Sequence, residues 1–124
     1  MYTGKLAELI QYPRHVGEVA EPSGVADVTN PVCGDRLRLS VLVVDHVIKE
    51  AKFKAYGCAP TIAAGSVAAE MLIGRSVEQA LRISRDEINQ ALGGLPASKL
   101  HCATLAVDAI EAAMRDVERR KAIS

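Results

Sequence analysis

Tryptophan is absent from this 124-residue sequence, aromatic side chains reach only 3%, and fifteen basic residues balance fifteen acidic ones at a formal net charge of zero. Without an excess of positive charge there is no electrostatic hold on nucleic acid or on an anionic membrane surface. The scarcity of aromatics removes the stacking platform on which single strands are bound. No apolar run approaches the ~20 residues that cross a bilayer. The opening Met1-Tyr2-Thr3-Gly4-Lys5-Leu6-Ala7 is neither a basic-then-apolar signal nor an Arg/Ser-rich transit peptide. The expected compartment is therefore the cytoplasm, where thiols stay reduced. A glycine-rich phosphate loop, a nucleophile elbow and a paired-carboxylate arrangement are also missing, so an enzyme with turnover chemistry is not expected.

What is present suits one soluble domain over residues 1–124, with 49% apolar and 24% charged residues. Leu6, Leu9 and Ile10 recur at helical spacing before Pro13, which predicts a short and loosely held helix over residues 2–12. Residues 13–24, with Pro13, Gly17, Pro22 and Gly24, read as an irregular connection. Val25–Thr29 is short and β-branched. In Arg36–Val44, Leu37, Leu39, Val41 and Val43 alternate with Arg36, Arg38 and Ser40, and after Asp45-His46 the pattern resumes over Val47–Tyr56. Three consecutive strands with short links predict an antiparallel sheet with one solvated face.

The rest reads as helical. Pro60 suits the first turn of a helix that Gly74 ends. Ser76-Val77-Glu78-Gln79 and Ser84-Arg85-Asp86-Glu87 both match the capping-box pattern. A long last helix is predicted from about Lys99 to Arg119, with Ala103, Ala106, Val107, Ile110, Ala113, Met114 and Val117 as its apolar stripe. Strands first and helices after make an α+β domain, its helices on one face of the sheet.

Three cysteines are an odd number, and none of their spacings is C-x₂-C, so neither a zinc ribbon nor a thioredoxin-type motif is present. Each lies where one predicted element meets the next: Cys33 in Pro31-Val32-Cys33-Gly34-Asp35, Cys58 in Tyr56-Gly57-Cys58-Ala59-Pro60, and Cys102 beside His101 at the start of the long helix. Taken singly, a cysteine in a reducing compartment is more often an inert buried side chain than a ligand. Asp35 alone would more often cap a turn, and His101 could cap or pack. Taken together, three thiols with a hard oxygen from Asp35 and a borderline nitrogen from His101 make a donor set for Zn²⁺ or an iron–sulfur unit. Helix amino ends next to Cys58 and Cys102 should favour thiolate there. Cys102 and His101 point about 100° apart on a helix, which makes them a poor nucleophile–base pair. His15 and His46 read as surface residues.

The motifs Pro31-Val32-Cys33-Gly34-Asp35, Tyr56-Gly57-Cys58 and Lys99-Leu100-His101-Cys102 resemble those of the IscU/NifU N-terminal-type iron–sulfur cluster assembly scaffolds. The resemblance begins with Tyr12-Pro13-Arg14-His15-Val16-Gly17, runs through Ala51-Lys52-Phe53-Lys54-Ala55-Tyr56-Gly57-Cys58, and covers nearly the whole chain. It implies an α+β scaffold that accepts sulfur from a cysteine desulfurase, assembles a transient [2Fe–2S] cluster, and passes it to carriers or apo-acceptor proteins. Cys33, Cys58 and Cys102 match the family's cluster ligands, and Cys102 its persulfide acceptor. Asp35 matches the aspartate linked to cluster lability, and His101 an alternative ligand. Zn²⁺ or Fe²⁺ can take the same residues.

The sequence also departs from the family's pattern. Leu95-Pro96-Ala97-Ser98-Lys99 stands where the family has Leu-Pro-Pro-Val-Lys, so a dedicated Hsp70-type chaperone is not implied as a partner. Ala59-Pro60-Thr61-Ile62-Ala63-Ala64-Gly65-Ser66 replaces a Ser-rich run. Cys33-Gly34-Asp35-Arg36 is also similar to SufU-type proteins, which implies a second reading as a zinc-bound sulfur-transfer partner relaying persulfide. The short interval between Cys58 and Cys102 and the presence of His101 favour the IscU side.

Overall fold

Alternating apolar residues build the sheet at the centre of a computed structural model that describes residues 2, 4–31 and 33–123. Strands β1 (Gly24–Thr29), β2 (Arg36–Val44) and β3 (Val47–Tyr56) pair antiparallel in the order β1-β2-β3. Leu37, Leu39 and Val41 of β2 and Ala51 and Phe53 of β3 turn inward and are fully or almost fully buried. The β2–β3 hairpin closes at Asp45 and His46, both at positive φ (52° and 67°). Such a two-residue turn matches the right-handed twist of its strands.

Among the described residues five helices complete the fold: α1 (Gly4–Gln11), α2 (Ala59–Leu72), α3 (Val77–Ala80), α4 (Arg85–Ala91) and α5 (Leu100–Ile123), the last preceded by one 3₁₀ turn at Ala97–Lys99. α2 is apolar nearly all round because it lies between the sheet, α1 and α5. Gly65 lets it approach: a Cβ there would lie 2.4 Å from the Phe53 ring. Both capping boxes form, Ser76 with Gln79 and Ser84 with Glu87. Along α5 the predicted stripe is buried except for Val107, which is half-buried. Asp116 of α5 accepts a 2.8 Å hydrogen bond from the Val25 N–H, closing part of the exposed edge of β1. No helix among the described residues is long and apolar enough to cross a membrane.

Two expectations change. α1 is firmly docked, since Leu6 and Leu9 belong to the core cluster. The outer face of the sheet is not wholly solvated either. The connection after α1 pairs Val16 with Phe53 in parallel at the edge of β3, then crosses that face, where the Val19 N–H donates to the Ser40 hydroxyl at 2.9 Å. Ser40 and Val19 are buried as a result. A serine on the polar side of an alternating strand carries no mark of being covered by a distant segment.

Candidate metal centre

Three chain segments meet at the end of the sheet opposite the Asp45-His46 turn. The first is the β1–β2 link, closed by Asn30 N–H to Asp35 carbonyl and Gly34 N–H to Asn30 carbonyl bonds of 2.7 and 2.8 Å. That closure turns Asp35 inward, where it is buried, and leaves Cys33 exposed. The second is the step from β3 to α2, where Cys58 is the residue before the first helical turn and offers no side-chain cap. The third is the first turn of α5, which presents His101 and a fully buried Cys102.

One ligand atom from each of Asp35, Cys58, His101 and Cys102 lies within 4.8 Å of the other three. The Asp35 Oδ2 stands 3.2 Å from Cys58 Sγ and 3.2 Å from His101 Nε2, and Cys58 Sγ stands 3.5 Å from Cys102 Sγ. An ion held tetrahedrally by bonds of about 2.0–2.3 Å has its ligand atoms about 3.3–3.8 Å apart. These three separations are close to the edges of that tetrahedron, and the remaining pairs lie within 4.8 Å. Cys33 is outside this group of four, on the exposed loop beside Asp35. A cleft of about 500 Å³ lies elsewhere, between β1 and α5, and none of these residues lines it.

Asp35 is fixed from both sides. Its Oδ1 accepts the Cys58 N–H at 3.1 Å, and its Oδ2 accepts the Thr61 hydroxyl at 3.2 Å. Gly57 makes the approach possible. It sits at φ +130°, and a Cβ there would lie 2.0 Å from Asp35 Oδ1. Burial by itself would push the Asp35 carboxyl up. Hydrogen bonds from the Cys58 side chain and backbone, with the nearby Cys33 side chain and His101, outweigh it and bring the carboxyl down to about 2.

Cys102 goes the other way and corrects an expectation. Burial pushes its thiol up to about 12; the Thr61 hydroxyl works against that rise, and Cys58 and Asp35 add to it. Burial thus favours the protonated thiol at Cys102, and a cation that binds there must displace its proton.

Thr61 is a member of the site that the sequence reading passed over. It is fully buried, one helical turn beyond Cys58, with its hydroxyl 3.3 Å from Cys58 Sγ and 3.5 Å from Cys102 Sγ. The signal available was spacing: a residue three positions after a ligand at a helix start shares its face.

The family description "NifU-like N terminal domain" matches residues 1–124. The chain belongs to the NifU-like N-terminal domain family. Curated relatives of this NifU-like chain include the iron–sulfur cluster assembly scaffold protein IscU 1 of Archaeoglobus fulgidus, 45% identical over 97% of this chain and 78% of that protein. The scaffold protein IscU of Azotobacter vinelandii is 40% identical over 98% of both. Among solved structures, a NifU-like N-terminal protein from Brucella abortus superposes with a TM-score of 0.79 at 22% identity, covering 95% of this chain and 94% of that one. A SufU-type scaffold protein from Fervidobacterium islandicum, described as putative, gives 0.72 at 20% identity over 91% of this chain and 96% of its own. At such identities these two structures speak for the α+β fold that the NifU-like chain shares with them.

Proposed function

We propose that this protein is a scaffold on which a transient [2Fe–2S] cluster is assembled and from which it is released. The observation that carries the reading is the mixed donor set, Asp35, Cys58, His101 and Cys102 within 4.8 Å, with the Cys33 thiol exposed on the adjoining loop. Two sulfurs, one hard oxygen and one imidazole retain an iron–sulfur unit less completely than four thiolates do. An exposed third thiol next to Asp35 offers a path by which ligands exchange as the cluster comes and goes. The partners of this reading are a cysteine desulfurase supplying sulfur and carrier or apo-acceptor proteins receiving the cluster. The protein itself performs no turnover chemistry.

The test is anaerobic reconstitution with ferrous iron, sulfide and thiol. The parent gains the visible absorption of a cluster, and Cys58→Ala abolishes it, because Cys58 touches Asp35, Thr61 and Cys102 at once. Equal uptake by a variant lacking all three cysteines would place the cluster elsewhere and end this reading.

The gathering of two sulfurs, a carboxylate and an imidazole within 4.8 Å also favours a second reading, a zinc-bound partner of a cysteine desulfurase that relays persulfide. Incubation with a desulfurase and cysteine, followed by thiol trapping and mass analysis, separates the two. Persulfide accumulating with no later cluster formation supports the relay.

A further inference from the structure

Thr61 has a hydroxyl that is no customary ligand of a soft cation, yet it is placed within 3.5 Å of three of the site's four donor residues. We propose that Thr61 is a positioning residue that donates its one hydroxyl hydrogen bond to Asp35 before a cation arrives and to a cysteine sulfur once the cation is bound. The inference rests on the reading of this site as a holder of a cation or cluster.

A hydroxyl offers one proton and two lone pairs. With no cation present, the Cys58 S–H and the Thr61 hydroxyl both donate to Asp35 Oδ2, and the Thr61 oxygen can still accept from the Cys102 S–H, so every group is satisfied. With a cation on the sulfurs, both become acceptors only, and the carboxylate and two thiolates compete for one proton. The carboxylate loses least, because the Cys58 N–H still donates to its Oδ1 and Oδ2 can itself face the cation. Rotating the proton onto sulfur leaves Oδ2 free to approach the cation and withdraws electron density from the thiolate. The burial of Thr61 means that water cannot stand in for it.

The side chain divides cleanly into two variants. Thr61→Val keeps the branched shape and removes the proton; Thr61→Ser keeps the proton and removes the methyl. The full chain is titrated anaerobically with Co²⁺ and the thiolate-to-cobalt charge-transfer absorption is recorded. Thr61→Val moves the band to lower energy, because the sulfur lone pairs lose a hydrogen bond, and weakens Co²⁺ binding about tenfold. Thr61→Ser keeps the band of the parent.

A band in Thr61→Val identical to the parent overturns the proposal. So does a band in Thr61→Ser shifted as far as that of Thr61→Val, since packing of the methyl would then be the cause. Should Thr61→Val fail to fold, Thr61→Ala must show the shift while Thr61→Ser must not. A parent that binds Co²⁺ with no charge-transfer band sinks the reading of the site itself, which is a different result from an unshifted variant.

Discussion

Gly57→Ala is a sharp test of how the centre is built, because it alters no ligand. Its added Cβ would lie 2.0 Å from Asp35 Oδ1, 2.7 Å from Cγ and 3.0 Å from Cα, and the residue sits at φ +130°. Ordinary contact asks for well over 3 Å, so the carboxylate must withdraw by about 1 Å or the backbone must shift. The strained φ costs about 1–3 kcal/mol by itself. At roughly 4 °C per kcal/mol for a domain of this size, the melting temperature falls by about 4–12 °C. Withdrawal of Asp35 also pulls Oδ2 away from Cys58, His101 and Thr61 together. Zinc affinity, read by competition with a chromophoric chelator, should fall about 10–100-fold, as it does when a supporting contact of a metal site is lost. A variant that melts lower while holding zinc as tightly as the parent would refute the claim that Gly57 exists to seat Asp35.

Two further outcomes follow from the same geometry. Asp35→Ala removes the hard ligand and leaves the softer donors, including the nearby Cys33, to take its place; cluster transfer to an apo-acceptor slows, and faster or unchanged transfer in an absorbance-based assay would count against that role. Asp116→Ala leaves the Val25 N–H without its carboxylate and costs about 1–3 kcal/mol in urea denaturation at neutral pH. Burial raises the Asp116 carboxyl, but the Val25 N–H, Arg119 and Arg120 outweigh it and hold it below the usual range. A carboxyl depressed in the folded state adds stability above its unfolded value, near pH 4, and loses it as pH falls through the folded value. The difference between parent and variant should therefore shrink below about pH 4; a constant gap would contradict the linkage.

Much of this protein is local, and what is local was legible in the sequence. The alternation of Leu37, Leu39 and Val41 with Arg36 and Arg38 marks β2 because a strand's side chains repeat every second residue. Ser76–Gln79 and Ser84–Glu87 mark two helix starts because a capping box closes within one turn. The motifs around Cys33, Cys58 and His101-Cys102 were equally visible, and with them the family. Tertiary structure decided what depends on distance across the fold. It brought Asp35, Cys58, His101 and Cys102 within 4.8 Å, kept Cys33 on the rim, and added Thr61. It laid residues near Val19 over Ser40. It also reversed the expected charge state of Cys102. A helix end acts through the few residues around it, whereas desolvation sums over every group that packs against the sulfur, and that sum exists only once the chain has folded.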